Sequence, residues 1–201
     1  GAAGRGESVW LAWFLTATLR AFAPIAAARG DEAAAADLRE RADAYASAVE
    51  QHAWDGEWYR RAWFDDGTTL GSSQNEECRI DSIAQSWSVI SGAGDPQRQR
   101  TAMRSLERHL VREKERLILL LTPPFDKSPV DPAYIKGYLP GVRENGAQYT
   151  HAALWAVQAT ALMGDGGGDR ALELYQMINP LTRARDAASV AAYKVEPYVV
   201  A

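Results

Sequence analysis

The 201-residue sequence predicts an all-α domain assembled from αα-hairpins. Three observations predict it. Apolar residues recur at helical spacing in successive long segments, short breaks containing Gly and Asp join those segments in pairs, and aromatic-rich stretches without a helical period separate the pairs. The composition allows a substantial core: 47% of the residues are hydrophobic, and seven Trp with eight Tyr exclude a disordered chain.

The first helix spans Glu7 to Arg29, with Trp10, Phe14, Ala17 and Ala21 on one stripe and Leu11, Leu15, Leu19 and Phe22 beside it, apolar over a wide arc. Gly30-Asp31 breaks it. Asp31 to Gln51 repeats the period, with Leu38, Ala42, Tyr45 and Val49 expected inward, and completes one hairpin. Trp54 to Gly67 changes character, with aromatics, Gly turns and an Asp-Gly, and reads as a short β-hairpin or an irregular loop. Ile80, Ile83, Ala84, Trp87 and Ile90 then share a helical face. Asp95 caps the next helix, Pro96 occupies its first turn, and this second hairpin runs to about Glu115. From Leu117 to Asn145 the chain is rich in Pro and Gly, shows no sustained period and is too long for a connector, so ligand contacts are expected there. The last hairpin comprises about Tyr149 to Met163, a glycine turn, and Arg170 to Met177. The tail from Lys194 to Ala201 is expected to be extended. Irregular spacing between hairpins argues against a short-period solenoid. It favours an arc of a closed helical toroid, with loops 53–79 and 117–148 on one rim and about half of the helices that a full ring requires.

Composition also excludes function classes. A formal net charge of −4 and a pI near 5.4 provide no basic field for nucleic acid or anionic lipid. The most continuous apolar run, Arg116 to Thr122, falls far short of the roughly 20 residues of a spanning helix, and no signal-type segment opens the chain, so no membrane contact is expected. The single Cys78 excludes an internal disulfide framework and fits a reducing, cytoplasmic setting. No His pair has metal spacing, so no metal is expected.

Two stretches carry candidate chemistry. In Trp54-Asp55-Gly56-Glu57-Trp58-Tyr59 acids alternate with aromatics, the pattern by which an aromatic face stacks on a pyranose while carboxylates accept from its hydroxyls. Trp54, Asp55 and Trp58 are therefore substrate-binding candidates, set against a reading in which the Trp residues are core and the acids are solvated. In Gly141 to His151 a loop delivers Arg143, Glu144, Gln148, Tyr149 and His151 onto a helix start. A guanidinium fork and an imidazole near helix N–H groups suit phosphate, which makes Arg143 and His151 candidates for it. The alternative makes Asn145 and Thr150 caps and His151 a buried core imidazole. His52 and His109 near helix ends fit dipole complements.

Taken together, Gly6-Glu-Ser-Val-Trp10, Trp54-Asp-Gly-Glu-Trp-Tyr-Arg60, Asn75-Glu-Glu-Cys-Arg-Ile-Asp-Ser-Ile-Ala-Gln-Ser-Trp87 and Arg143-Glu-Asn-Gly-Ala-Gln-Tyr-Thr-His151 resemble the catalytic domain of glycoside hydrolase family 94. That family includes cellobiose, chitobiose and β-1,2-oligoglucan phosphorylases and the C-terminal module of cyclic β-1,2-glucan synthase. Ser91-Gly-Ala-Gly-Asp-Pro96 and Met177-Ile-Asn-Pro180 look like the β-1,2-glucan branch.

The resemblance implies that residues 1–201 are one partial catalytic domain, the C-terminal portion of an (α/α)6 toroid. It implies inverting cleavage of a β-glucan by inorganic phosphate to α-glucose 1-phosphate, with phosphate as co-substrate and no other cofactor. The implied partners are a β-glucan oligosaccharide, phosphate and the remainder of the domain. The implied setting is cytoplasmic, free or as a module of an inner-membrane synthase. The family's general acid sits in an Asp-Trp-Asn-Asp string expected upstream of Gly1, and its Thr-Gly phosphate loop is expected downstream of Ala201. No catalytic acid is therefore assigned within these residues, and the fragment is expected to be inactive alone. His151 carries over for phosphate, and Arg143, Glu144, Gln148 and Tyr149 for phosphate or sugar. The competing expectations are a hydrolytic glycosidase of the same toroid class and a noncatalytic helical carbohydrate-binding module.

Overall fold

The computed structural model describes residues 3–129, 131–164, 166–196 and 199–200. Helix α1 (Val9–Ala28) and helix α2 (Glu32–His52) form the first hairpin. Ser8 caps α1 through Leu11 N, and Asp31 Oδ1 caps α2 by accepting from Ala34 N at 2.9 Å. Helix α3 (Ser82–Ile90) is capped by Asp81. Helix α4 (Pro96–Leu110) is capped by Asp95 with Pro96 in its first turn, as the sequence predicts. Helices α5 (Thr150–Leu162) and α6 (Gly167–Ile178) close the third hairpin, and two short helices, α7 (Pro180–Arg183) and α8 (Ala187–Tyr193), follow.

Within each hairpin the helices pack on each other, and α3 also lies between α1 and α5. Phe14, Trp87 and Trp155 are each the sixth residue of α1, α3 and α5. Their rings meet in a row, Phe14 to Trp87 at 5.2 Å and Trp87 to Trp155 at 5.3 Å. Equal offsets from the helix starts mean that the three helices run parallel and begin at one level. Helices α2, α4 and α6 form a second layer, tied by Arg98 to Glu50 at 2.7 Å and by Arg170 to Glu107 at 2.7 Å. The result is a two-layered arc of an (α/α)6 toroid. The tight turns at 29–31, 91–95 and 163–166 leave the ends of α1, α3 and α5, whereas the long connections 53–81 and 111–149 lead into the starts of α3 and α5. Both long loops therefore lie on the same rim.

Short strands stitch that rim together. Strands β1 (Glu7–Ser8), β2 (Ala62–Trp63) and β3 (Thr69–Leu70) form an antiparallel sheet with Glu7 opposite Trp63 and Ala62 opposite Leu70, which realises the expected β-hairpin. Strand β4 (Ile80–Asp81) pairs with β7 (Leu121–Thr122), so one long loop is bonded to the other. Strands β5 (Val111–Arg112) and β6 (Leu117–Ile118) make a small hairpin. One core cluster joins Trp58, Leu106, Ile118, Leu174 and Ile178, and a second joins Trp13, Val49, Tyr59 and Trp87.

Several expectations are corrected. In α2 the buried stripe is Ala35, Ala42, Ala46 and Val49, whereas Tyr45 is exposed, because close approach of α1 selects the small side chains. In α1 the buried residues are Val9, Trp13, Thr16, Ala23 and Ala26, and Leu11, Phe14, Phe22 and Ile25 stay outside. α1 is also long and apolar enough to meet the length and hydropathy of a membrane span, which the unbroken-run criterion missed because Arg20 and threonines interrupt it. Trp13 is nonetheless fully buried against Tyr59, at 5.4 Å between ring centroids. The segment 117–145 contains strands and a 3-10 turn, Ala133–Gly137. Lys194 caps α8 in a left-handed conformation and Val199 N donates to Glu196 O at 3.2 Å, so the expected extended tail is not realised here; Pro197, Tyr198 and Ala201 lie outside the described residues.

Candidate active-site rim

The segment leading into α5 is built around Asn145. Its side chain is fully buried: Oδ1 accepts from Phe125 N at 2.7 Å, and Nδ2 donates to Phe125 O and Tyr138 O, each at 2.8 Å. Asn145 is thus a hub rather than a cap. Gly146 follows at φ +83°, where a Cβ would stand 2.8 Å from Pro124 Cβ, so only glycine fits. Arg143 takes a left-handed φ of +50°, uncommon for a non-glycine residue. Its guanidinium lies over the Tyr138 ring at 5.1 Å, with Nε 3.6 Å from Glu144 Oε2. That carboxylate oxygen is buried and has no hydrogen-bond partner among the described residues. Gln148 is tied down through Oε1, which accepts from Ile118 N at 3.1 Å.

α5 then begins differently from α1, α2, α3 and α4. Tyr149 occupies its N-cap position and no side chain caps the first turn. The amides there face the rim with the positive end of the helix dipole. His151 is exposed beside them rather than buried, its ring 4.3 Å from Trp155 and 6.4 Å from Tyr149. Trp155 continues the row through Trp87 and Trp10, whose indole N–H groups find no partner among the described residues. No hydrogen bond or ring contact among the described residues joins Arg143 to His151; each sits at one end of the same loop-to-helix segment.

The 53–79 loop has a different role. Asp55 is almost wholly buried; Oδ1 accepts from Arg60 at 2.8 Å and Ser72 Oγ at 3.0 Å, and Oδ2 accepts from Ser73 N at 2.6 Å. Burial pushes its carboxyl up, but the bonds from Ser73, Arg60 and Ser72 outweigh it and leave the group below the usual carboxylate range. Trp58 is buried and its indole N–H is shared by Gly71 O at 2.9 Å and Arg79 O at 3.0 Å. Trp54 packs on Tyr59 at 5.0 Å under Arg98. The polar atoms of Asp55 and Trp58 are used up inside the chain, so these two hold the loop in shape; the core reading fits Trp54 and Trp58, whereas Asp55 is buried and bonded rather than solvated. His109 sits edge-on to Trp58 at 5.5 Å, its pKa lowered by burial and by Arg108.

Sequence reasoning missed three positioning residues. Gln85 is fully buried and clamps Tyr59, accepting from its N and donating to its O, each at 2.8 Å. Glu77 accepts from the amides of Asp126, Lys127 and Ser128, which binds one long loop to the other. Asp81 both caps α3 and pairs with Arg61. Only the cap had a local signature. A cavity of about 790 Å³ that His151 does not line runs along α1 and α2 between Leu11, Tyr45, His52, Trp63 and Phe64.

Comparison with known proteins agrees with this architecture. The model of the glycosyl hydrolase 94 superfamily catalytic domain matches residues 2–201. The cyclic beta-(1,2)-glucan synthase NdvB of Rhizobium meliloti (strain 1021) is 50% identical over all 201 residues, which are 7% of its length. Cellobionic acid phosphorylase of Neurospora crassa and solabiose phosphorylase of Paenibacillus borealis are each 32% identical, over 88% and 90% of this chain and 22% and 23% of their own lengths. The chain thus spans less than a quarter of each of these relatives. With its helical arc, its bonded long loops and a match over nearly every residue, the chain belongs to the glycosyl hydrolase 94 family.

Proposed function

We propose that this chain supplies the phosphate-holding part of an inverting glycoside phosphorolysis site that acts on β-1,2-linked glucan. The observation that carries this reading is the start of α5, where an uncapped first turn and the exposed His151 present N–H donors on the rim to which both long loops lead. Phosphate is an anion with three acceptor oxygens, and helix amides plus an imidazole N–H match it. Arg143, exposed on the same segment, brings the fork that would complete the cradle once it leaves the Tyr138 face. Glu144, whose Oε2 accepts no hydrogen bond among the described residues, and Tyr149 would face the sugar. In this chemistry a carboxylic acid protonates the leaving oxygen while phosphate attacks the opposite face of the ring and takes the place of an activated water. The β-1,2 linkage rests on the 50% identity to a protein named as a β-(1,2)-glucan synthase.

The test uses the full-length protein. β-1,2-Glucan should yield glucose 1-phosphate only when phosphate is present, and His151→Ala should raise the KM for phosphate roughly ten- to a hundredfold, the loss of one charge-assisted contact, with a smaller effect on glucan KM. Free glucose released regardless of phosphate would assign a hydrolase instead.

A further inference from the structure

We propose that Trp155 is a positioning residue for His151: its indole fixes the orientation in which the imidazole meets the phosphate, and the indole itself stays clear of the anion. The inference deepens the phosphorolysis reading and rests on it for what His151 binds. Its geometric basis is the row of rings that crosses α1, α3 and α5.

His151 is exposed near the start of α5, and among the described residues no hydrogen bond holds its ring. Two aromatic contacts do: Tyr149 at 6.4 Å and, much nearer, Trp155 at 4.3 Å with the rings inclined at 41°. The spacing of the two residues produces the nearer contact. A long side chain on a helix leans toward the N-terminus, onto the residue four positions earlier, so Trp155 covers the turn that carries His151. A ring contact works through the π face, whereas the imidazole N–H groups point outward in the ring plane. The indole can therefore restrict the imidazole without consuming the donor that phosphate needs.

Trp155 is itself fixed, which an isolated surface ring would not be. Trp87 meets it edge-on at 5.3 Å and 82°, and Trp10 lies against it at 6.0 Å and 31°. Trp10 in turn stands 6.0 Å from Phe14, and Phe14 closes the circuit on Trp87 at 5.2 Å. Trp87 is buried, and both Trp10 and Trp155 pack against the cluster that holds Trp13, Val49 and Tyr59. Three helices thus converge on one indole, and the row ends on an exposed histidine. Trp54 and Trp58 end instead against Tyr59 and buried carbonyls. Only Trp155 carries the core packing out to a member of the proposed cradle, and ordering a side chain before its ligand arrives removes that ordering cost from binding.

A double-mutant cycle on the full-length protein tests this, with inorganic phosphate as the varied substrate and β-1,2-glucan saturating. Trp155→Leu should raise the KM for phosphate roughly three- to tenfold, the cost of immobilising one side chain, and leave kcat and glucan KM unchanged. Trp155→Phe keeps an aromatic face and should recover most of that loss. In the His151→Ala background Trp155→Leu should add nothing, because the indole acts only through the imidazole. Trp155→Met, a pliable filler without a ring, replaces Trp155→Leu if that variant fails to fold. No change in phosphate KM, an equal change with and without His151, or an equal rise in glucan KM would make Trp155 a packing residue and overturn the inference, with phosphorolysis left intact. Glucose release that ignores phosphate would sink the phosphorolysis reading alone. The same cycle is then scored on kcat/KM for glucan, where non-additivity keeps the positioning role and additivity ends it.

Discussion

At the scale of single residues, the rim shows two kinds of polar side chain: those whose bonds are closed inside the chain, and those left open. Asp55 belongs to the first kind. Its carboxylate is held below the usual range by Ser73, Arg60 and Ser72 against the opposing pull of burial. A carboxyl depressed on folding stabilises the fold above its unfolded pKa, and this stabilisation is lost as pH falls through the folded value. Thermal stability should therefore drop from about pH 4 downward, and Asp55→Asn, at a cost of roughly 1–3 kcal/mol at neutral pH, should flatten that acid limb. Melting temperatures recorded against pH for both proteins test this; parallel curves would remove Asp55 from the linkage. Glu144 belongs to the second kind, as do the indoles of Trp10 and Trp87. A buried polar atom without a hydrogen bond costs stability, and for Glu144 the Arg143 guanidinium at 3.6 Å offsets part of that cost.

At the scale of elements, the start of α5, like that of α6 with Gly166 at its N-cap, departs from the side-chain capping of α1 to α4. Ser8, Asp31, Asp81 and Asp95 cap α1 to α4 through their side chains, and Tyr149 does not cap α5. An acidic cap in its place should stabilise the helix by about 0.5–2 kcal/mol and at the same time occupy the amides and repel an anion. Tyr149→Asp is therefore expected to raise the melting temperature while it weakens phosphate use at least tenfold, read as the KM for phosphate in the full-length protein. A gain in stability with phosphate use unchanged would detach phosphate from this helix end. The long loops behave as elements too. Glu77 and the pairing of β4 with β7 make them one bonded unit, so the rim presents Arg143 and Glu144 from a fixed frame.

At the scale of the whole molecule, stability rests on packing between the layers more than on the rim. Leu106, on α4, is 1% exposed in the cluster that also holds Ile118, Ala156 and Leu174. Leu106→Ala should cost roughly 2–5 kcal/mol, seen as a fall of about 2–4 °C in melting temperature per kcal/mol, with far-UV circular dichroism still mainly helical. A negligible shift would show that the cluster does not carry the fold. The sequence alone determined the helical class, the three hairpins, the cap at Asp95 and the family, because each is written in local period, local turn chemistry or contiguous motif, and it left Trp54 to Gly67 as a short β-hairpin or an irregular loop. It also delivered His151 and its neighbours as one contiguous loop-to-helix segment. Only the tertiary structure decided that Trp58 and Asp55 are spent internally, that Asn145 is a hub, and that Gln85 and Glu77 hold distant loops, since the partners in these bonds lie 13 to 49 residues away in the chain. A side chain's period tells which way it leaves its own element, whereas burial and hydrogen bonding depend on what another element brings to meet it.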